Sequence, residues 1–266
     1  DQVDVERSVA MLRQAIDGGI NYVDTAYNYI GGMSETITGS ALQDGYREKV
    51  YLAPTSPTWL YRAEAALERL LAEQPDSLKT HCPDFYMLHS LNGGSWKRSL
   101  KINAIESIKR AKADGRVKYI GFSFHDDYDL FEEIINAADW DFCQIQLNYF
   151  DEKYHAGVKG LKRAAEKGMG VIVMGPLRGG FLVDLPPKVQ EIFDASGSTR
   201  TPVEWSLDYL WNMPEVSTVL SGMGTEEQIE ENISYAQEAA PGMMSAEDSA
   251  TIAKAQAAFD EYAVIP

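Results

Sequence analysis

A carboxylate, a phenol and an imidazole stand near the ends of apolar runs. Asp24 and Tyr29 lie in INYVDTAYNYIGG (20–32), and His89 closes DFYMLH (84–89). Such a trio can orient a reacting oxygen and hand it a proton, the work of general acid–base catalysis. Each member has a plainer reading by itself. A strand-end Asp commonly caps a turn or helix, a loop Tyr covers apolar surface with its ring, and one His beside an apolar strand is usually a hydrogen-bonded structural residue. Their placement at successive strand ends gives the trio its weight. Other polar side chains in such places are Thr55, Ser90, Ser123, Gln144, Gln146 and Asn148, with His125 read as a turn residue. Two glycine-rich stretches, GPLRGG (175–180) and SGMGTEEQIEEN (221–232), add backbone N–H groups that can hold phosphate oxygens, the second ahead of a helix.

The elements that must position these residues alternate. Apolar spacing predicts a helix over 4–18, ended by Gly18-Gly19, then a strand at 20–26. Helices are predicted over 34–44 (Ser34 as a possible cap), 58–73, 98–114, 127–138 (opened by Asp126 or Asp127), 154–167, 202–213, 225–239 and 245–262. Strands are predicted at 49–53, 84–89, 117–123, 141–147, 170–175 and 216–222. Pro75 should end or kink its helix. Strand–helix alternation over one uninterrupted chain predicts a parallel sheet, and seven repeats suit a (β/α)₈ TIM barrel, a single domain over 1–266, better than an open doubly wound sheet. Only seven strands are visible, so the pattern predicts a further strand ahead of Asp1. In such a barrel the carboxyl ends of the strands carry the chemistry, and the two glycine-rich stretches fall after the last two strands, the usual phosphate site.

The chain has 266 residues, 40 acidic and 24 basic, for a net charge of −16. No basic stripe exists to neutralise phosphates, which argues against a nucleic-acid partner and against an anionic membrane surface. Two widely separated cysteines, Cys82 and Cys143, read as free thiols, and no Cys/His cluster has metal-binding spacing. The polar, acidic start DQVDVERSVA differs from a signal peptide, so a cytoplasmic location is expected. Trp96, in the loop after 84–89, is a candidate pocket-lining residue, and the acidic helices 225–239 and 245–262 read as solvated faces.

Six stretches together resemble the aldo-keto reductases. They are INYVDTAYNYIGGMSE (20–35), DFYMLHSLN (84–92), RVKYIGFSFHD (116–126), QIQLNY (144–149), VIVMGPLRGG (171–180) and VLSGMGTEEQIEENI (219–233), one per strand and in the family's order. The wording is nearest to the branch that carries a C-terminal ferredoxin-like iron–sulfur extension, which would begin about where this chain reads AVIP. The resemblance implies a (β/α)₈ barrel and reversible hydride transfer between NADP or NAD and a small carbonyl substrate, with no metal. It assigns Asp24, Tyr29 and His89 to three places of an Asp–Tyr–Lys–His tetrad.

The fourth place departs from the pattern. Where the family carries Lys, this chain reads Ala53-Pro54-Thr55. An ammonium beside a phenol draws its pKa down from about 10 towards the working pH; Thr55 carries no charge and cannot. Asp24 also loses its cationic partner, so it should be wetter, more readily protonated, or paired elsewhere. Hydride transfer should therefore be slowed, or the chain should bind cofactor without turning substrate over.

The resemblance further places Ser123 and Gln144 on the nicotinamide carboxamide. Met174 takes the ring-stacking place, with plain core filling as its alternative. Gly175, Leu177 and Gly179 match the pyrophosphate loop, Ser221, Gly222 and Gln228 the ribose side, and Glu231 and Asn232 the adenine. The segment 221–232 offers no Arg or Lys for a 2′-phosphate, so selectivity for NADP should be weak. A phosphate-binding barrel lyase or isomerase, using the same loops without nicotinamide, is the reading from another class.

Overall fold

The computed structural model describes residues 3–263. Seven parallel strands hydrogen-bond in chain order: β1 (Tyr22–Ala26), β2 (Tyr51–Ser56), β3 (Phe85–Leu91), β4 (Tyr119–Phe124), β5 (Phe142–Gln146), β6 (Gly170–Met174) and β7 (Thr218–Val219). Helix α1 (Val5–Asp17) precedes them. Between and after them lie α2 (Ser34–Ala41), α3 (Glu64–Ser77), α4 (Gly93–Lys101), α5 (Ala104–Ala113), α6 (Tyr128–Ile135), α7 (Gly157–Glu166), α8 (Pro187–Asp194), α9 (Pro202–Trp211), α10 (Glu226–Gln237) and α11 (Ala246–Ala263). Spatial order equal to chain order is barrel winding; a doubly wound sheet would reverse direction partway.

The strands are buried on both faces, which is why they read as nearly continuous apolar runs. Their outward residues, among them Leu88, Phe122, Ile145 and Val173, join the helices in one large core. Their inward residues, Ala53, Met87, Phe142 and Ile172, pack with Tyr22, Phe85 and Leu220 inside the cylinder. Rings plug the amino-terminal half, where Phe85 lies within 6 Å of Tyr22, Tyr51, Tyr119 and Phe142. That plug explains Gly121: a Cβ there would stand 2.5 Å from the Phe142 carbonyl oxygen.

Among the described residues β1 and β7 do not pair, and a cavity of about 700 Å³ separates them. It is lined by apolar Ile16, Val23, Leu207, Trp211 and Val219 and reaches Asp24. The strand expected ahead of Asp1 would belong in this gap. Asp1, Gln2 and the last three residues of AVIP lie outside the described residues.

Several local expectations are corrected. The helix predicted over 58–73 starts only at Glu64, because Thr58–Leu60 forms a short 3₁₀ turn instead, and it runs two residues beyond Pro75. The helix predicted over 98–114 is two helices, broken where Asn103 takes a left-handed conformation (φ 52°). Ser34 does not cap α2; its hydroxyl lies 2.9 Å from that of buried Thr25. Trp96 is not a pocket wall but buried core, its indole N–H donating to Glu133 at 2.6 Å. The helices read as solvated faces bury Ile229 on α10 and Ile252, Ala255 and Phe259 on α11. Helix α8 had no reading from the sequence. Asp127 and Thr225 cap their helices, and Thr201, which had no reading from the sequence, caps α9.

Candidate active site

Period-two alternation explains how the site residues come to share one rim. On β1 to β5 the inward side that carries core residues lower down ends in a polar residue near the carboxyl end, and on β6 it ends in a thioether. Tyr22 is followed by Asp24, Ala53 by Thr55, Met87 by His89, Gly121 by Ser123, Phe142 by Gln144, and Ile172 by Met174. The ladders set Ala26 level with Thr55, Thr55 level with Met87, and Ser123 level with Gln144.

His89 sits at an irregularity. Between Leu88 and Leu91 the β3–β4 register shifts, three steps of β3 matching two of β4, and Ser90 takes φ 52°. A bulge of this kind re-aims a side chain beside a site. The Ser90 N–H is satisfied by the Ser123 hydroxyl oxygen at 2.6 Å, which ties this bulge to β4.

The imidazole is 8% exposed and held at both nitrogens. Thr55 Oγ1 lies 3.1 Å from Nδ1, and the Tyr29 hydroxyl 3.3 Å from Nε2. The Tyr29 ring meets it edge-on at 5.5 Å and the Trp59 ring lies over it at 5.0 Å. Burial, with His125 adding, pushes the pKa of His89 down to about 4. The ring therefore favours its neutral form at pH 7, which suits it to orient a carbonyl through one N–H rather than to act as a charged acid. When the Thr55 hydroxyl donates to Nδ1, the ring proton sits on Nε2, facing Tyr29; when it accepts, the proton sits on Nδ1 and the Tyr29 hydroxyl donates to Nε2.

Tyr29 enters from the turn after β1, where a 3₁₀ turn (Tyr29–Gly32) contains left-handed Ile30 and Gly31. Its pKa is pushed up to about 12, by burial first and then by Asp24. Asp24 itself is raised to about 7 by burial, offset in part by the Gln144 amide. Its Oδ2 is shut off from solvent and has no partner among the described residues. Of the three fates expected for a carboxylate without its lysine, two are met: Asp24 is half-buried on the cavity between β1 and β7, and it is more readily protonated.

The raised pKa has a sign that can be checked. Unfolded, this carboxyl ionises near 4; folded, near 7. Below pH 4 it is neutral in both states and costs nothing. From pH 4 to 7 the folded state must hold a charge it solvates poorly, and above 7 the full cost remains, roughly 2–4 kcal/mol with the nearby cavity allowed for. Asp24→Asn is expected to leave the melting temperature at pH 4 nearly unchanged and to raise it by roughly 5 °C or more at pH 8. A Tm difference equal at both pH values, read by calorimetry, removes the buried-carboxylate account.

The remaining predicted residues fall beside this cluster. Gln144 is buried; its Nε2 lies 3.8 Å from Met174 Sδ, and its Oε1 has no partner among the described residues. Gly175 (φ 68°) and Gly179 (φ 64°) form the turn after β6 around half-buried Leu177, and Asn148 donates to the Gly175 carbonyl at 3.0 Å. Arg178 in that turn donates to buried Asp151 at 3.0 Å and lies 4.3 Å over the Phe150 ring. After β7, Asn232 donates to Ser221 at 3.0 Å, Gln228 accepts from the Gly224 N–H at 2.7 Å, and Gly222 faces open space. Glu231 is exposed and is not drawn into the cluster. His125 is no simple turn residue: its N–H continues the ladder to Leu91, and its half-buried ring packs 5.8 Å from His155.

Two features escaped the sequence reading. Trp59 covers the imidazole, though its place just beyond a strand's carboxyl end was a usable signal. Behind Thr55 lies a buried polar network: Gln74 donates to Glu35 at 2.6 Å and to the Thr55 carbonyl at 3.2 Å, and accepts from Tyr86 at 2.7 Å. It braces the β2 end that carries Thr55.

Comparison with known proteins places the architecture. The model of the aldo/keto reductase family matches residues 1–255. An uncharacterized oxidoreductase, YqkF of Bacillus subtilis (strain 168), is 24% identical over 259 residues, covering 86% of this chain and 82% of its own. L-galactose dehydrogenase of Arabidopsis thaliana is 26% identical over 250 residues, covering 85% and 76%. Among solved structures, the holo form of aldo-keto reductase AKR11C1 from Bacillus halodurans superposes with a TM-score of 0.81 at 23% identity, over 96% of this chain and 88% of that one. An aldo-keto reductase from Klebsiella pneumoniae, solved in complex with NADPH, gives 0.77 at 22%, over 94% and 84%. A parallel cylinder wound in chain order, its polar residues gathered at one rim, and a family match over nearly all of its length have one explanation: the chain belongs to the aldo/keto reductase family.

Proposed function

We propose that this protein is an oxidoreductase that reduces an aldehyde or ketone with a nicotinamide cofactor, and that Thr55 makes it a slow one. The observation that carries the reading is the chain of contacts Tyr29–His89–Thr55 at the barrel rim. His89, neutral and in the tautomer that carries its proton on Nε2, orients the carbonyl oxygen. Tyr29 is the one side chain of the trio placed and protonated to act as an acid. Asp24, near its midpoint at neutral pH, raises the phenol's pKa when charged and relaxes that effect when protonated.

The residues present fit a nicotinamide cofactor. The orphaned Gln144 Oε1 is a buried acceptor suited to a carboxamide NH₂, and the Ser123 hydroxyl still has its proton to donate. Met174 offers a thioether beside them, and the open glycine turns at 175–180 and 221–224 suit phosphate oxygens. When bound, the cofactor supplies the hydride. Segment 221–232 contains no cation, and Arg7, which reaches it from α1, is paired with Glu226 at 2.6 Å. A 2′-phosphate therefore gains little here, and NAD is accepted as readily as NADP. The unpaired Cys82 and Cys143 fit a reducing cytoplasm.

Stopped-flow oxidation of NADH and NADPH by a reactive aldehyde tests this directly, the expected result being slow but measurable turnover with both. Orphaned Asp24 and uncharged position 55 favour one second reading, a barrel that binds nicotinamide in a regulatory or structural role. Cofactor binding seen by NADH fluorescence with no oxidation under any aldehyde selects it, and no binding at millimolar cofactor removes both.

A further inference from the structure

Beside the catalytic rim, a pocket of about 430 Å³ opens between the segment after β2 and the exposed face of α4. Arg62, Lys97, Arg98 and Lys101 line it together with Tyr61, and no carboxylate does. None of the four cations has an ion-pair or side-chain hydrogen-bond partner among the described residues. This is unusual for the chain. With 40 acidic and 24 basic residues, a charged lining drawn at random would be mostly carboxylates. Cations nearby are paired: Arg110 with Glu64 and Glu68, and Arg69 with Glu73. Glu64, at the start of α3, is turned to Arg110 and Asn103 and away from this pocket. On α4 itself, Lys97–Lys101 and Arg98–Lys101 are like-charge pairs one turn apart, an arrangement that weakens a helix unless an anion relieves it.

The pocket and the imidazole are joined by one short stretch of chain. Trp59, whose ring lies 5.0 Å from that of His89, is three residues from Arg62. Three residues span at most about 11 Å. The turn between them is pinned to α4, since the Ser99 hydroxyl donates to Thr58 Oγ1 at 3.1 Å. That short connection leaves the pocket within reach of an extended ligand whose carbonyl lies at His89. The pocket volume is in the range of small-ligand sites.

Resting on the oxidoreductase reading above, we propose that this pocket holds an anionic group, phosphate or carboxylate, at the far end of the carbonyl substrate. The substrate is then an aldehyde or ketone with a negatively charged tail, the carbonyl under Trp59 and the charge on α4. Because the far end does not change during the reaction, its binding lowers KM and leaves kcat nearly unchanged.

A length-matched series tests this: 10-hydroxydecanal, its phosphate ester, and 10-oxodecanoate. The expected result is a kcat/KM at least tenfold higher for the two anions than for the neutral aldehyde, carried by KM and shrinking with added salt. The phosphate and carboxylate arms show which anion is preferred. Lys97→Glu combined with Arg98→Glu, both exposed positions, should abolish the preference, leave turnover of 10-hydroxydecanal unchanged and not lower the thermal melt, since both like-charge pairs with Lys101 become attractive. Equal kcat/KM for all three substrates, or a preference that survives charge reversal, overturns the proposal. Calorimetric titration with decyl phosphate is the readout independent of turnover. Binding weakened at least tenfold by charge reversal supports the anion site even if no aldehyde is reduced, in which case only the oxidoreductase reading falls. Binding equal in both proteins overturns it.

Discussion

Thr55→Lys is expected to raise the rate of carbonyl reduction by roughly two orders of magnitude or more, within the range that general acid catalysis contributes. Position 55 already lies inside the cluster, 3.1 Å from His89, which in turn lies 3.3 Å from Tyr29. Asp24 sits on the same inward face of the adjacent strand, two residues offset, within reach of a lysine side chain. An ammonium there would pair with the orphaned carboxylate and draw the Tyr29 pKa down from about 12. The stronger acid protonates the developing alkoxide more readily. Two measurements check the account: the pre-steady-state rate of NAD(P)H oxidation, and the pH–rate profile, whose upper limb should move to lower pH. An unchanged rate in a well-folded Thr55→Lys variant would falsify the view that the uncharged residue limits this site. A silent parent restored by the substitution selects the cofactor-binding reading for the parent.

Tyr29→Phe is expected to lower the single-turnover rate of the parent by about 10²–10⁴-fold while leaving cofactor affinity within a factor of two. Phenylalanine retains the edge-on ring contact with His89 at 5.5 Å and deletes only the hydroxyl. The magnitude follows from the neutrality of His89. An imidazole with a pKa of about 4 is almost entirely neutral at pH 7, which leaves the half-protonated Asp24 carboxyl, not hydrogen-bonded to His89 or Tyr29 among the described residues, as the one other proton source in the trio. Retained activity at pH 7 in Tyr29→Phe would mean that water, protonated Asp24 or a re-protonated His89 delivers the proton. Loss of cofactor binding would assign Tyr29 a positioning role instead.

Much of the architecture was legible along the chain because the barrel repeats one short-range pattern. Apolar period two, a turn and apolar period 3.6 recur, and Asp127 and Thr225 mark the starts of α6 and α10 as caps. The errors fall where tertiary contacts override local preference. Residues 58–60 have a helical composition yet form a tight turn, because Thr58 is buried against Ser99 on α4. The 98–114 run has unbroken helical spacing yet breaks at Asn103, where α4 and α5 turn onto the core. Trp96 and Trp59 could not be told apart from the sequence. Which of them faced the mouth depended on whether a strand end or a helix face presented it.

Residue type and spacing alone determined that Asp24, Tyr29, Thr55, His89, Ser123, Gln144 and Met174 sit near strand carboxyl ends, and that no lysine stands at position 55. Strand periodicity is a property of each segment, so those placements needed no partner. Only the tertiary structure decided what that absence does. Desolvation and the charges of groups distant in sequence set a carboxyl near 7, a phenol near 12 and an imidazole near 4. A one-residue bulge turned His89 between Thr55 and Tyr29, and the turn after β2 brought Arg62 to the three cations of helix α4. Solvation and Coulomb energies depend on distances between atoms, and those distances exist only once the cylinder has formed.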